Sequence, residues 1–214
     1  MSKEDSATRE RILNAATDIF SEYGFKAATI REICKLAKTN VAAVNYYFRD
    51  KEGLYIAVLE GLLTSALEQY PPDMGLAPGA KPEERLHAFV KSFLYRLLRS
   101  RRLSDHLQGG LFTTKELSSP NPALDALIEK HVNPHRKLLF SIIAELLENT
   151  ASQQTVIRCA ISITGQCLHY VYARPIIGHI AGEPFSLDED IDEQAAHITR
   201  FSLGGIQTIN EGLS

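Results

Sequence analysis

The stretch Thr39–Tyr55, TNVAAVNYYFRDKEGLY, gathers two asparagines, two adjacent tyrosines, a small Val/Ala run and two basic residues, Arg49 and Lys51. These side chains suit one kind of chemistry. A carboxamide can bond a base edge, adenine best of all, and small residues let a helix backbone settle deep in a major groove. Phenol hydroxyls, a lysine and the free amides at a helix start can bond phosphate. For this, Ala42, Ala43, Asn45 and Tyr46 must share the outer face of a short helix while Val41, Val44 and Phe48 face inward. An ordinary helical hairpin with an aromatic core is the structural alternative.

The flanking sequence supplies helices to hold that one. Ile12, Ala15, Ala16, Ile19, Phe20 and Tyr23 recur at helical spacing, and Gly24 stops the run. Thr29 followed three residues later by Glu32 is a capping box, so a second helix starts there, with Ile30, Ile33, Cys34 and Ala37 inward. It can run only to about Lys38, because Asn40 caps the third helix. Asp50 caps a fourth, with an inward stripe of Leu54, Tyr55, Val58, Leu59, Leu62 and Ala66, ended by Pro71-Pro72. A loop rich in Gly and Pro follows, to Pro82.

Beyond it the chain also reads helical. Leu86, Phe89, Val90, Phe93, Leu94 and Leu97 form one stripe, and a shorter helix is predicted over 104–112. A longer one covers about 123–149 with Pro134 as a kink or break, another 155–174, and a last one about 188–210. A loop over 175–187 precedes that last helix. The fold class is all-α. Residues 1–53 are expected to be a compact unit with helix-turn-helix spacing, about 50–70 a linking helix, and 71–214 a larger helical domain.

The chain's 214 residues carry a formal net charge of -3, but the charge is unevenly placed. Between Lys26 and Lys51 six basic residues face two acidic ones, whereas seven acidic residues and one Arg lie between Glu183 and Glu211. An anionic partner would dock on the N-terminal part. No apolar run reaches membrane-spanning length, the charged N-terminus has no signal-peptide character, and the three cysteines form no paired framework. A cytoplasmic protein without membrane association is expected.

The segment TRERILNAATDIFSEYGFKAATIREICKLAKTNVAAVNYYFRDKEGLYIAVLEGL, Thr8–Leu62, resembles the DNA-binding domain of TetR-family transcriptional regulators. The resemblance implies an all-helical homodimer that binds a palindromic double-stranded operator and, as a repressor, leaves it when an unidentified small-molecule effector binds. By position, Val41, Ala42, Ala43 and Asn45 become recognition-helix residues, with Asn40 at the N-cap. Tyr46, Tyr47 and Lys51 become phosphate contacts, and Thr29 and Arg31 support docking. Lys38 stands where the family usually has a turn glycine, Asn45 where tyrosine is common, and Ala42 where glycine is common. FTTKELSSP, the helix after HVNPH, ITGQCLHYVYARP and the ending INEGLS resemble the CecR (YbiH-type) branch, which implies control of membrane-transport genes and drug sensitivity.

One recognition helix buries too little surface for tight specific binding. The last two helices are therefore expected to pair across a two-fold axis, through Ile163, Gln166, Tyr170, Phe201, Gly205 and Ile209. The expected ligand pocket draws on Phe89, Phe93, Phe112, Phe140, Cys167 and Tyr170, any of which could instead be plain core. His131 and His135, with His106 and Glu129, have near-ligand spacing, but Pro134 intervenes, and no metal or other cofactor is expected. Cys159 and Cys167 are too far apart on one helix for a disulfide. No phosphate-binding glycine loop, nucleophile elbow or HExxH motif occurs, so an enzyme is not expected, and a helical protein-interaction adaptor is the other alternative.

Overall fold

The computed structural model describes residues 3–100, 122–173, 176, 179 and 190–212, and every element among them is helical. In order they are α1 (Lys3–Ala27), α2 (Ile30–Ala37), α3 (Val41–Phe48), α4 (Lys51–Gln69), α5 (Pro82–Arg99), α6 (Pro122–Leu127), a π-helical turn (Ile128–Val132), α7 (Asn133–Leu146), α8 (Gln153–Tyr172) and α9 (Ile191–Glu211). The all-α expectation therefore holds. The helix predicted over 104–112 lies outside the described residues, as does nearly all of the loop predicted over 175–187. No helix among the described residues is long and apolar enough to cross a membrane.

The chain divides into two compact units, the first holding the described residues of 1–65 and 102–131, the second those of 66–101 and 132–214. In the first, α1 packs on α2 and α2 on α3. Ile12, Ala16, Phe20, Ile33, Val44, Leu54 and Leu59 are buried there. Each of the larger ones contributes roughly 1.5–3 kcal/mol by leaving water. The Phe20, Phe25 and Tyr55 rings pack with centroids 4.9–6.1 Å apart and tie α1 to α4. Gly24 adopts φ 71° and ψ 171°, a conformation side chains rarely reach, so α1 is interrupted there as its sequence requires. Tyr23 departs from the predicted stripe and is exposed, because the break lets the chain turn away before its ring can reach the core.

In the second unit α5 lies against α7, α8 and α9. Pro82 suits the first turn of α5, where its missing N–H costs nothing, and the Glu84 carboxylate accepts from the Lys81 N–H at 2.8 Å. Leu86, Val90, Leu94, Leu139, Ile142, Ile143, Ile163 and Ile198 fill the core. Arg85 holds Glu145 through two contacts of 2.7 and 2.9 Å, and Lys91 and Tyr95 both reach Asp192. The helix expected over 123–149, with a kink or break at Pro134, is α6 and α7 joined by the π-helical turn that ends just before that proline. Pro134 lacks the N–H that would pair with the Lys130 carbonyl, and the backbone widens just before it.

The α3–α4 junction is unusually close. A Cβ at Gly53 would lie 2.2 Å from the Phe48 carbonyl oxygen, which already accepts the Asp50 N–H at 2.9 Å. A Cβ at Gly61, on the same helix, would meet nothing within 4 Å. Gly53→Ala is expected to destabilise the protein by about 1–3 kcal/mol, as overpacking does. Gly61→Ala should stabilise it by about 0.5–1 kcal/mol through helix propensity. Urea unfolding of the two variants reads opposite signs.

Candidate nucleic-acid interface

Two helices of eight residues each frame the site, and side chains cap both. At the start of α2 the Thr29 hydroxyl accepts from the Glu32 N–H at 3.2 Å and donates to the Glu32 carboxylate at 2.6 Å. The Thr29 N–H also donates to that carboxylate at 3.0 Å, and these bonds hold the Glu32 carboxyl below its usual pKa. α2 closes on Lys38 in the left-handed region, φ 52°, with its N–H directed at the Cys34 and Lys35 carbonyls. α3 then starts on Asn40, whose side-chain oxygen accepts the Ala43 N–H at 2.9 Å.

Buried Val44 and Phe48 fasten α3 to the core, and the opposite face is open. Asn45, Ala42 and Tyr46 are exposed, Tyr46 to 78%. Val41 was expected to face inward as well as to serve recognition. It is 44% exposed, because it lies at the first turn of α3, outside the reach of the Val44–Phe48 anchor. Leu36 on α2 is likewise an exposed apolar residue, and no spacing signal marked it. Apolar groups of this kind can meet a thymine methyl. Arg31 is exposed on α2.

The other residues named for the interface are already engaged. The Tyr47 hydroxyl donates to Asp5 on α1 at 3.1 Å, and burial, with that carboxylate beside it, pushes its pKa up. Its ring packs edge-on against Tyr46 at 4.9 Å. The Lys51 ammonium donates to the Lys26 carbonyl at 3.3 Å and lies 4.7 Å from the Phe25 ring centroid. Thr29 and Asn40 spend their polar atoms on caps. Arg31, Val41, Ala42, Asn45 and Tyr46 thus form the freely presented set, whereas Thr29, Asn40, Tyr47 and Lys51 hold it in shape.

In the second unit the residues named for a pocket are dispersed among several helices. Phe89 and Cys167 are buried, Phe93, Phe140 and Tyr170 are half-buried, and Phe112 lies outside the described residues. Phe93 neighbours Phe89 at 6.1 Å, Phe140 sits under Arg136, and the Tyr170 hydroxyl donates to Gln194 at 2.6 Å. Among the dimer residues, Phe201 is 68% exposed and Gly205 and Ile209 share its open face of α9. Ile161 is exposed on α8, and a Cβ at Gly165, Gly204 or Gly205 would meet nothing. Ile163, by contrast, is only 2% exposed and belongs to the chain's own core; its neighbour Ile161 has the outward position. Gln166 bonds the Ser162 carbonyl and Ser202. Among the described residues no group of three His, Cys, Asp or Glu is placed to hold a metal; His131 lies 3.7 Å from Glu60.

Two short capped helices meeting at a left-handed turn, the second presenting an amide and a phenol outward, define a helix-turn-helix DNA-binding regulator. The family described as "Bacterial regulatory proteins, tetR family" matches residues 12–58, and "HTH-type transcriptional dual regulator CecR, C-terminal domain" matches residues 82–206. The chain is 27% identical to the transcriptional dual regulator CecR of Shigella flexneri over 181 residues, 79% of this chain and 78% of that protein. Its fold is similar to a tetR-family regulatory protein from Rhodococcus RHA1, with a TM-score of 0.68 and 22% identity over 96% of this chain and 98% of that one. It is also similar to the regulator FadR from Bacillus subtilis in complex with stearoyl-CoA, with a TM-score of 0.66 and 18% identity over 92% and 98%. The chain belongs to the TetR family, in the branch that carries the CecR-type C-terminal domain. It is a ligand-responsive DNA-binding transcriptional regulator.

Two expectations follow from the local geometry. Lys38→Gly relieves a left-handed residue and should raise stability by about 1 kcal/mol in urea unfolding. Burial raises the pKa of all three thiols, that of Cys167 to about 12, so they stay protonated at neutral pH and should resist maleimide until the protein unfolds.

Proposed function

We propose that the chain acts as a cytoplasmic homodimeric repressor that reads a palindromic operator with α3 and leaves it when a small molecule binds the second unit. The observation that carries this reading is the exposure of Asn45 and Tyr46 on a helix whose other face is pinned by Val44 and Phe48. An amide held outward on a short rigid helix is suited to an adenine edge, and Ala42 and Ala43 permit a close approach. Arg31 and the Tyr46 hydroxyl would meet phosphates, on a surface that Tyr47 and Lys51 hold in shape.

The exposure of Ile161 and Gly165 on α8, and of Phe201, Gly205 and Ile209 on α9, supports pairing of these helices with a second copy. Glycines there let two helices approach closely, while Phe201 and Ile209 supply apolar area. Two copies of α3 would then address half-sites roughly 34–36 Å apart, one turn of DNA. An effector changes occupancy only if it favours the spacing that does not fit the operator. We assign the transmission of that change to α4, which runs from the first unit into the second.

Sequencing the genomic fragments retained by the protein tests the proposal and identifies the operator. Asn45→Ala and Tyr46→Ala should each reduce operator affinity at least tenfold, while gel filtration and thermal melting remain those of the parent dimer. Affinity should also fall steeply with salt. Retention of no fragment at low salt, or full binding by both variants, would end this reading.

A further inference from the structure

Side chains tie α1 directly to α3. Asp5 lies in the first turn of α1 and Tyr47 in the last turn of α3, 42 residues on, and the Tyr47 hydroxyl donates to the Asp5 Oδ1 at 3.1 Å. One turn further along α1, on the same face, the Arg9 guanidinium carbon stands 5.3 Å from the centroid of the Phe48 ring. Asp5 and Arg9 thus hold two consecutive aromatics of α3. Phe48 is buried, whereas Asp5, Arg9 and Tyr47 are half-buried. The Tyr47 ring in turn packs edge-on against the open Tyr46 ring, with centroids 4.9 Å apart and an interplanar angle of 78°.

An acidic residue in the first turn of a helix is ordinary, because it complements the helix dipole. Glu4, exposed in that same turn, serves the dipole as well. The dipole does not explain the partner. A phenol has one proton to donate, and Tyr47 gives it to a carboxylate instead of keeping it for phosphate. Burial and the Asp5 carboxylate raise the pKa of that phenol against the opposing pull of Arg11, so it keeps its proton at neutral pH. The carboxylate also sets a negative charge beside a face suited to a polyanion, which lowers affinity for every DNA sequence alike. A phosphate contact carries no sequence information, yet it fixes the register in which a base is read. Holding Tyr47 in place limits how the Tyr46 ring beside it can turn, and so fixes the register in which Asn45 meets a base.

We propose that Asp5 is a positioning and specificity-determining residue for operator recognition. Through the Tyr47 hydroxyl it sets the Tyr46 ring, and its charge trades general affinity for DNA against discrimination. The proposal rests on the DNA-binding reading of α3 and deepens it, because it makes the first turn of α1 part of the interface. Its action passes through two phenols, so removing either hydroxyl must silence it.

The test measures binding of the full-length protein to its operator fragment and to a scrambled duplex of the same length. Asp5→Ala should bind the scrambled duplex more tightly than wild type, a gain that shrinks with added salt. Its ratio of operator to scrambled affinity should fall about fivefold or more, within the range of coupling in one hydrogen-bonded network. Asp5→Asn keeps an acceptor for the phenol but not the charge. It should bind both duplexes more tightly and keep the ratio within about twofold of wild type, the scatter expected of uncoupled sites. Tyr47→Phe and Tyr46→Phe should each lower the ratio, and adding Asp5→Ala to either should lower it no further. Should Asp5→Ala not fold, Tyr47→Phe against Asp5→Asn makes the same comparison, since one removes the bond and the other retains it. An unchanged ratio in Asp5→Ala, an equal fall in Asp5→Asn, or a further fall when Asp5→Ala joins Tyr47→Phe would overturn the proposal. Operator binding by wild type with any of these results removes the Asp5 assignment alone, whereas a wild type that retains no DNA removes the regulator reading itself.

Discussion

An eight-residue helix is not stable by its own hydrogen bonds, because nucleation costs more than two turns return. α2 and α3 are both that short, and the presentation of Asn45 and Tyr46 depends on their being helical at all. What makes them so is a combination of end caps and anchors. Thr29–Glu32 and Asn40 satisfy amides that would otherwise be orphaned, and Ile33, Val44 and Phe48 bind the two helices to the rest of the first unit. The same Phe48 carries the carbonyl that approaches Gly53, so the end of α3 and the beginning of α4 are one close-packed feature. The face that presents Asn45 and Tyr46 is therefore held in place by caps and by buried anchors.

That arrangement divides labour among polar side chains that look equivalent in the sequence. Asn40 and Asn45 flank the same small run, yet one spends its oxygen on the Ala43 amide and the other points outward. Tyr46 and Tyr47 are adjacent, yet one ring is open and the other has its hydroxyl on Asp5. Helical geometry separates neighbours by about 100° around the axis, so adjacent residues meet different surroundings. Presentation and support are both needed, and each asparagine and tyrosine can supply only one of them well.

The second unit follows a different logic. Its apolar helices need only bury area, and many residues could serve that purpose. The exceptions carry information: a guanidinium inside the core, and an open glycine and phenylalanine strip on its outer face. Arg96 shares the helical face of Phe89 and Phe93, seven and three residues before it. A charged residue on an apolar face was the available signal. Long cations usually reach water from such positions, so the residue type alone does not mark burial.

Punctuation was legible in the sequence because it is local. Gly24, Thr29, Asn40, Asp50 and the Pro71-Pro72 pair act through bonds and dihedrals within a few residues, and the helices of the first unit begin and end where they indicate. The apolar stripe of α5 was equally plain. Tertiary structure alone decided which apolar residues stay outside. Ile161 and Ile163 have the same chemistry two residues apart, and only the packing of α8 among α5, α7 and α9 buries one and leaves the other exposed. Tertiary structure likewise placed the Tyr70 carbonyl, 26 residues away in the chain, within reach of Arg96. Local rules set what each segment can be; which groups end up facing one another depends on contacts between residues far apart in the chain, and no spacing along one helix records those.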